Sequence, residues 1–361
     1  TSSSNQPAPG VWKVSPDVLI SGHKTPLELR YEHTGQDLPA GAYHKLLIEP
    51  LSVKTLFHCP PSEGLKVVDY KGQTPEVELE PDKVHGVGFR VVKFRFPKGM
   101  KKGDSFAVQM GNEKADGTLE AIVNPVPVEG LSFETYSDLN ASGKEVSWFD
   151  KGWTDQLCKV NVKADQAGRL RLFTPSLIEK NSAFRLRIAV TDEFDSRAEP
   201  AYEGDVILRS PNGVDGAPKR VKFTEEDNGT RVIEGLRVRS EGVYRIEAQL
   251  PGSDKIFESN PVVVRQKVSQ PLYWGNIHNH CMYSECWGMG PAETYAFARD
   301  ISGFDFVSLS DHRGQKPTSR QNMGRLLKWR QGKTVSGLES WRETVDKANA
   351  FNNDDHFVCL I

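Results

Sequence analysis

Hydrophobic and polar residues alternate along much of the first 267 positions, which is the pattern of β-strands that bury one face. Leu27, Leu29 and Tyr31 alternate with Glu28 and Arg30. A strand presents successive side chains to opposite faces, so this alternation predicts a strand packed on one side against a core. The same two-residue period recurs at 76–80, 87–91 and 184–190.

Turn-forming residues such as Pro60-Pro61 and Lys102-Gly103-Asp104 separate these runs. Short strands divided by turns, without long helical periodicity before residue 290, predict successive β-sandwiches. We therefore place an N-terminal β-sandwich domain at 1–168 and an immunoglobulin-like β-sandwich at 169–267.

The second predicted sandwich resembles bacterial immunoglobulin-like modules. Its apolar strand at 184–190 is followed by the turn Asp227-Asn228-Gly229 and by the late strand Gly242-Val243-Tyr244. Modules of this kind usually act as structural spacers, and a ligand-binding role is the alternative.

From residue 268 onward the pattern becomes that of an α/β fold. The predicted elements are a buried strand at 272–277, a helix at 291–301, a strand at 304–309, an amphipathic helix at 338–351 and a strand at 357–361. Alternating strands and helices predict a parallel sheet or barrel with helices against it.

Histidines and an aspartate follow two of these strands at the point where each strand ends. His278 and His280 come directly after the first strand, and Asp311 and His312 follow the second. Because the carboxyl ends of parallel strands meet at one face, we expect these side chains to converge. Nitrogen and oxygen ligands of this kind suit Zn, Mn or Fe.

Four blocks in this region resemble the opening of a PHP (polymerase and histidinol phosphatase) domain. The blocks are Leu272 to His280, Tyr283-Ser284-Glu285, Pro291 to Asp300 and Gly303 to His312. The closest resemblance is to exported members that carry β-sandwich modules in front. On this resemblance, 268–361 is the N-terminal part of a PHP-type α/β domain, a distorted TIM-like barrel, and the chain stops early in it.

The resemblance implies a site and a reaction. His278, His280 and His312 correspond to metal ligands, and Asp311 and Glu285 correspond to catalytic acidic positions. The implied cofactors are two or three divalent ions (Zn, Mn or Fe) that activate water against a phosphoester. The implied partners are a small anionic or phosphoester substrate and the remainder of the PHP domain beyond residue 361.

Three residues depart from the family pattern or leave alternatives open. Asn276 stands where the family commonly has Asp, and Cys281 replaces the usual Thr. Cys281 and Cys286 have three possible roles: ligands of a soft metal, a local disulfide, or small apolar residues that pack in a core.

A basic segment follows Asp311 and His312. The segment 313–333 contains seven basic residues and no acidic one. The first three basic residues are Arg313, Lys316 and Arg320. Beside a metal site, such a run would attract an anionic substrate. The alternative is a solvated insertion without a binding role.

Overall charge narrows the range of partners. The chain of 361 residues has 46 Lys and Arg against 48 Asp and Glu, which gives a net charge of −2. This balance excludes a bulk nucleic-acid binder and attraction to an anionic membrane. No apolar run approaches the roughly 20 residues of a membrane span. The start at Thr1, without Met or leader, and the style of the domains predict an exported protein, periplasmic or extracellular.

These observations give three functional hypotheses. The first is a metal-dependent hydrolase of PHP type that cleaves a phosphoester, with activity in the intact protein and not in residues 1–361 alone. The alternative is a non-enzymatic binding or assembly protein that uses its β-sandwiches and carries a degenerate or truncated PHP domain. The third is a hydrolase of another ester class with the same metals.

Overall fold

The structure is a computed structural model of the chain. It describes residues 7–48, 50–51, 54–55, 64–81, 90–123, 127–148, 150–210, 213–281, 283, 289–311, 337–353 and 356–361. The chain divides into two compact units, a first unit at 1–163 and a second unit at 164–361.

The first unit is built from β-strands. They are β1 (Gly10–Ser15), β2 (Val18–Ile20), β3 (Lys24–Thr25), β4 (Leu27–His33), β5 (Tyr43–Ile48), β6 (Pro50–Leu51), β7 (Lys54–Thr55), β8 (Leu65–Lys71), β9 (Glu76–Pro81), β10 (Arg90–Arg95), β11 (Ser105–Met110), β12 (Asn112–Glu113), β13 (Leu119–Ile122), β14 (Val128–Ser132), β15 (Glu134–Asp138), β16 (Val146–Ser147) and β17 (Lys159–Lys163). The predicted alternation is confirmed in β4, where the odd-numbered positions from Leu27 to His33 are buried and the residues between them are partly exposed.

Two antiparallel sheets of the first unit face each other across an aromatic core. Their strand orders are β1-β4-β11-β8 and β16-β15-β5-β10-β9. Trp12 and Tyr31 come from the first sheet, and their ring centroids lie 4.9 Å apart. The Tyr31 ring lies 4.6 Å from that of His44 on the second sheet. This is the β-sandwich that the sequence predicted.

The second unit begins with a second set of strands. They are β18 (Arg169–Phe173), β19 (Leu177–Glu179), β20 (Ala183–Thr191), β21 (Gly204–Arg209), β22 (Val214–Asp215), β23 (Arg220–Phe223), β24 (Thr230–Val238), β25 (Gly242–Tyr244), β26 (Glu247–Gln249), β27 (Phe257–Glu258) and β28 (Val262–Arg265). They form sheets of order β18-β20-β24-β22, β19-β28-β25 and β23-β21-β26-β27.

These sheets enclose one apolar core, which we call the second sandwich. Phe184, Leu186 and Ile188 of β20 pack there against Val206 of β21 and Val264 of β28. The alternation at 184–190 predicted this inward face, because residues two apart in a strand lie on the same side. The second predicted β-sandwich is therefore confirmed.

The second unit ends with a small α/β segment. Its elements are β29 (Gly275–Asn279), α1 (Pro291–Asp300), β30 (Phe306–Leu309), α2 (Gly337–Phe351) and β31 (Val358–Leu360). The strands are parallel in the order β29-β30-β31. Residues of α1, α2, β30 and the chain after β29 form its core, among them Tyr295, Ala298, Val307 and Ala348.

The findings support the predicted β-sandwiches and give no support to an α/β barrel. Among the described residues the last three strands form an open parallel sheet with β29 and β31 at its two edges. Neither α1 nor α2, the helices among the described residues, combines the length and the apolar character of a membrane span.

The domain limits predicted at 168 and 267 stay predictions.

Candidate functional site

The predicted site residues lie at the carboxyl ends of β29 and β30, as far as the structure describes them. His278 belongs to β29, His280 follows it, and Asp311 follows β30. Five other predicted residues lie outside the described residues. They are Glu285, His312, Arg313, Lys316 and Arg320.

The two described histidines are close to each other. The ring centroids of His278 and His280 are 5.1 Å apart, with an angle of 50° between the ring planes. His278 is exposed and His280 is partly buried. The expected convergence of residues two apart is therefore present for this pair.

Asp311 accepts hydrogen bonds from Cys281. The backbone N–H of Cys281 donates to Asp311 Oδ1 at 2.8 Å, and the Cys281 thiol donates to Oδ2 at 2.8 Å. Burial raises the pKa of the Cys281 thiol, and the neighbouring Asp311 carboxylate raises it further. A protonated, buried thiol is a poor metal ligand and a poor nucleophile, since both roles need the thiolate.

Cys281 is a fully buried free thiol in the core of the α/β segment. This agrees with the packing alternative for Cys281, in which the residue serves as a small apolar side chain. Cys286 lies outside the described residues.

Two asparagines hold the end of β29 in place. The Asn276 side chain accepts the backbone N–H of His278 at 3.0 Å and donates to Asn279 Oδ1 at 2.9 Å. The Asn279 side chain donates to the Ser308 carbonyl of the adjacent strand at 3.1 Å. Asn276, which departs from the family pattern, thus has a structural role as a cap on an edge strand.

Tyr283 and Glu343 form a contact that sequence reasoning missed. The Tyr283 hydroxyl donates to Glu343 Oε2, which brings a residue of α2 beside the chain after β29. Burial raises the pKa of Tyr283, and the hydrogen bond and negative charge of Glu343 raise it further. No spacing signal links positions 60 residues apart, so only the packing of α2 reveals this pair.

The donor set does not form a metal centre within the described part of the chain. Among the described residues, no group of three or more His, Cys, Asp or Glu side chains is arranged to hold a metal ion. Bound Zn, Mn or Fe stays a prediction, because Glu285 and His312 lie outside the described residues.

An exposed apolar surface lies beside these residues, and the sequence did not predict its exposure. Leu272, Tyr273, Trp274 and Ile277 are 45%, 62%, 58% and 67% exposed, and we call this group the apolar edge. The sequence predicted a buried strand at 272–277. That prediction is wrong, because the strand begins only at Gly275 and the four apolar side chains are exposed.

Trp274 of the apolar edge is held in position by both the second sandwich and the α/β segment. The Trp274 indole Nε1–H donates to Ser176 Oγ at 2.8 Å. The Trp274 backbone N–H donates to Asp305 Oδ2 at 2.8 Å, and the Asp305 N–H donates to the Trp274 carbonyl at 2.7 Å. Three hydrogen bonds thus fix the position and ring orientation of one exposed tryptophan.

Comparison with known proteins gives distant relatives without assigned functions. No protein-family model matches the chain. Uncharacterized proteins of Chlamydia muridarum and Chlamydia trachomatis are 22% and 21% identical over 294 residues, which cover 80% of this chain. The chain spans 43% of the length of these two curated relatives.

Similar solved structures include an adhesin and domains of intimin and AspA. The Escherichia coli adhesin FdeC has a TM-score of 0.29 and 11% identity, over 71% of this chain and 63% of that chain. The D00-D0 domain of intimin has a TM-score of 0.31 and 8% identity, over 71% and 100%. The C-terminal domain of the Streptococcus pyogenes antigen I/II-family protein AspA has a TM-score of 0.32 and 8% identity, over 71% and 98%. Likenesses of this size carry no argument about function.

The resemblance to a PHP domain is wrong, and the classification as a metal-binding phosphoester hydrolase falls with it. No family model matches the chain, and the described chain is mostly β-structure with two helices. The His-x-His and Asp-His blocks are short. Any parallel sheet brings the ends of its neighbouring strands together, so such blocks alone do not define a family.

Proposed function

We propose that the chain is a non-enzymatic binding or assembly protein whose β-sandwich modules present a binding surface. The observation that carries the proposal is the exposure of the apolar edge, with Tyr273, Trp274 and Ile277 each more than half exposed. Large exposed apolar patches mark interaction sites, whereas single exposed residues are ordinary, and four exposed apolar residues lie here within six positions.

The chemistry of the apolar edge favours a protein partner. Aromatic residues are enriched at the centres of protein–protein interfaces, where a few of them contribute most of the binding free energy. Leu272 and Ile277 add exposed aliphatic side chains in the same six-residue segment, which suits an apolar protein surface better than a sugar or a phosphate. The hydrogen bond from Trp274 to Ser176 lowers the entropy that binding costs, because the ring is ordered beforehand.

The polar groups near the apolar edge support a binding role over catalysis. Both carboxylate oxygens of Asp311 accept hydrogen bonds from Cys281, and the asparagines of β29 bond to neighbouring backbone. These groups stabilise the local fold. We include export to the periplasm or cell surface in the proposal, as the place where sandwich modules would meet a partner.

A protein array tests the proposal. The full chain is applied to purified secreted and cell-surface proteins, and saturable binding to at least one of them is expected. The double variant Tyr273→Ser/Ile277→Ser should weaken this binding at least about tenfold, because interface centres respond strongly to truncation. Val243→Ser is the matched control, since Val243 is 66% exposed on β25 but isolated from the apolar edge in sequence.

Three outcomes would contradict the proposal. One is the absence of saturable binding to any protein of the array. Another is binding that Tyr273→Ser/Ile277→Ser leaves unchanged. A third is self-association of the chain through the apolar edge, detected by light scattering, because the partner would then be a second copy.

A further inference from the structure

The four-stranded sheet of the second sandwich is buried on both faces along β20. Its inward positions lie in the sandwich core and include Phe184, Leu186, Ile188 and Val190. Its outward positions Arg187, Ala189 and Thr191 are buried as well. A sheet with one face in water would leave such alternate positions exposed. The outward face of β20 is therefore covered by other parts of the chain.

Arg187 contacts the end of helix α1 directly. Its guanidinium Nη1 donates a hydrogen bond to the backbone carbonyl of Arg299, in the last turn of that helix. The last four carbonyls of a helix have no intrahelical partner, and the helix dipole makes this end negative. Arg187 therefore supplies a hydrogen-bond donor to an unpaired carbonyl and a positive charge beside the negative end of the helix dipole.

Other polar contacts surround the Arg187 contact. Arg197 Nη2 lies 3.6 Å from Oδ2 of Asp300, at the end of α1. Arg185 donates to the His356 carbonyl at 2.8 Å, shortly before β31. Trp274, before β29, donates to Ser176 of the sandwich. The α/β segment is thus tied to the sandwich at three separate places along its length.

The contact surfaces also fit closely where they are apolar. Gly303, between α1 and β30, lies against the ring of Phe173 at the end of β18, and an added Cβ there would overlap that ring. A residue of any other type would hold the two surfaces apart. The fit therefore depends on a glycine at this position.

Burial makes the Arg187 contact selective. Arg187 is 8% exposed, and its Nε has no hydrogen-bond partner among the described residues. A buried guanidinium is costly unless acceptors surround it. The end of α1 provides an acceptor for this buried charge.

The described residues of the α/β segment form a small core. Its described core contains seven buried residues, against nineteen in the second sandwich. A three-stranded open sheet with a small core usually needs packing against another element to be stable. The sandwich sheet is that element in this structure.

We infer that the second sandwich and the α/β segment unfold as one cooperative unit, and that Arg187 is the residue that specifies how they dock. This inference does not depend on the binding proposal. It means that the sandwich acts as a rigid platform for the apolar edge and does not act as a free spacer.

Native-state hydrogen exchange of the full chain tests this inference. Peptides that cover β20 and β24 are compared with peptides that cover α1 and β30 at increasing urea concentrations. In the unaltered chain we expect both sets to open at the same free energy, as one cooperative unit. In Arg187→Leu we expect α1 and β30 to exchange at least about tenfold faster than β20 and β24, since hydrogen bonds from charged groups contribute factors of this size.

Two further variants keep the test decisive. Arg209→Leu is the matched control, because Arg209 belongs to the same sandwich, is exposed and donates a hydrogen bond to Gln249 of that sandwich. If Arg187→Leu does not fold, Trp274→Phe removes only the bond to Ser176 and should accelerate exchange in α1 and β30 alone. The inference is overturned if both peptide sets open separately in the unaltered chain. It is also overturned if the interface variants exchange like Arg209→Leu.

Discussion

The thiol of Cys281 donates a hydrogen bond to Asp311 Oδ2, and the Cys281 backbone N–H donates to Oδ1 of the same carboxylate. This relationship joins the end of β29 to the end of β30, where the sequence predicted catalysis. The carboxylate accepts hydrogen bonds from two donors of a residue in the core, and its catalytic role stays a prediction. The polar residues at these strand ends therefore stabilise the α/β segment.

Replacement of Asp311 should destabilise the second unit. Asp311→Ala leaves two donors of Cys281 unpaired, and we expect a loss of about 1–3 kcal/mol in the free energy of unfolding. Urea unfolding followed by circular dichroism measures this loss. Asp346→Ala on the exposed side of α2 is the control and should change stability by less than about 0.5 kcal/mol. Equal stability of the two variants would show that the Cys281 contact contributes nothing.

The first unit should lose stability in mild acid. Burial lowers the pKa of His44 to about 3, while an unfolded histidine titrates near 6.5. His44 is therefore neutral in the folded state, and its contribution to stability is complete above pH 6.5 and lost progressively as pH falls toward 3. Linkage gives a loss of about 2 kcal/mol at pH 5.

Urea titrations at pH 7 and pH 5 test this pH dependence. His44→Gln should reduce the difference between the two pH values, whereas His23→Gln, at an exposed position, should leave it unchanged. Burial also lowers the pKa of His33, so part of the dependence should remain in His44→Gln. An unchanged pH dependence in His44→Gln would mean that His44 is not the group responsible.

Gly303 should tolerate alanine less well than another glycine of similar backbone conformation. Gly303 and Gly252 have φ values of +68° and +77°, and an added Cβ at Gly252 meets no atom within 4 Å. Gly252→Ala should cost about 1 kcal/mol for its backbone conformation alone. Gly303→Ala should cost about 2–4 kcal/mol, because the new Cβ also overlaps the Phe173 ring. Equal thermal stability of the two variants would contradict the close fit at Phe173.

The sequence predicted the strands with one buried face well, because alternation reports burial directly. Leu27 to His33 and Phe184 to Val190 are examples in which the predicted inward residues lie in a core. It could not predict that Arg187, on the outward face of β20, is also buried. A charged residue at an alternate position normally indicates solvent, and only the docked α/β segment changes its surroundings.

The prediction of a buried strand at 272–277 was wrong, because residues expected to be buried are exposed. Hydrophobic residues in a row predict a strand covered on both sides, but whether another element covers a given face is not encoded in the strand's own sequence. Ile277 of β29 is exposed, so none of the described residues covers its side chain. Similarly, the spacing of His278, His280 and Asp311 correctly placed them near strand ends, while the Cys281 hydrogen bonds to Asp311 depend on three-dimensional packing.

The most direct test of the binding proposal is the equilibrium constant for the protein partner that the array identifies. Binding of the full chain is measured with and without a metal chelator, for the unaltered chain, for Tyr273→Ser/Ile277→Ser and for His278→Ala/His280→Ala. We predict that Kd rises at least about tenfold in the first variant and stays within about twofold with chelator or in the histidine variant. A Kd that depends on chelator and on the histidines, but not on Tyr273 and Ile277, would contradict the proposal.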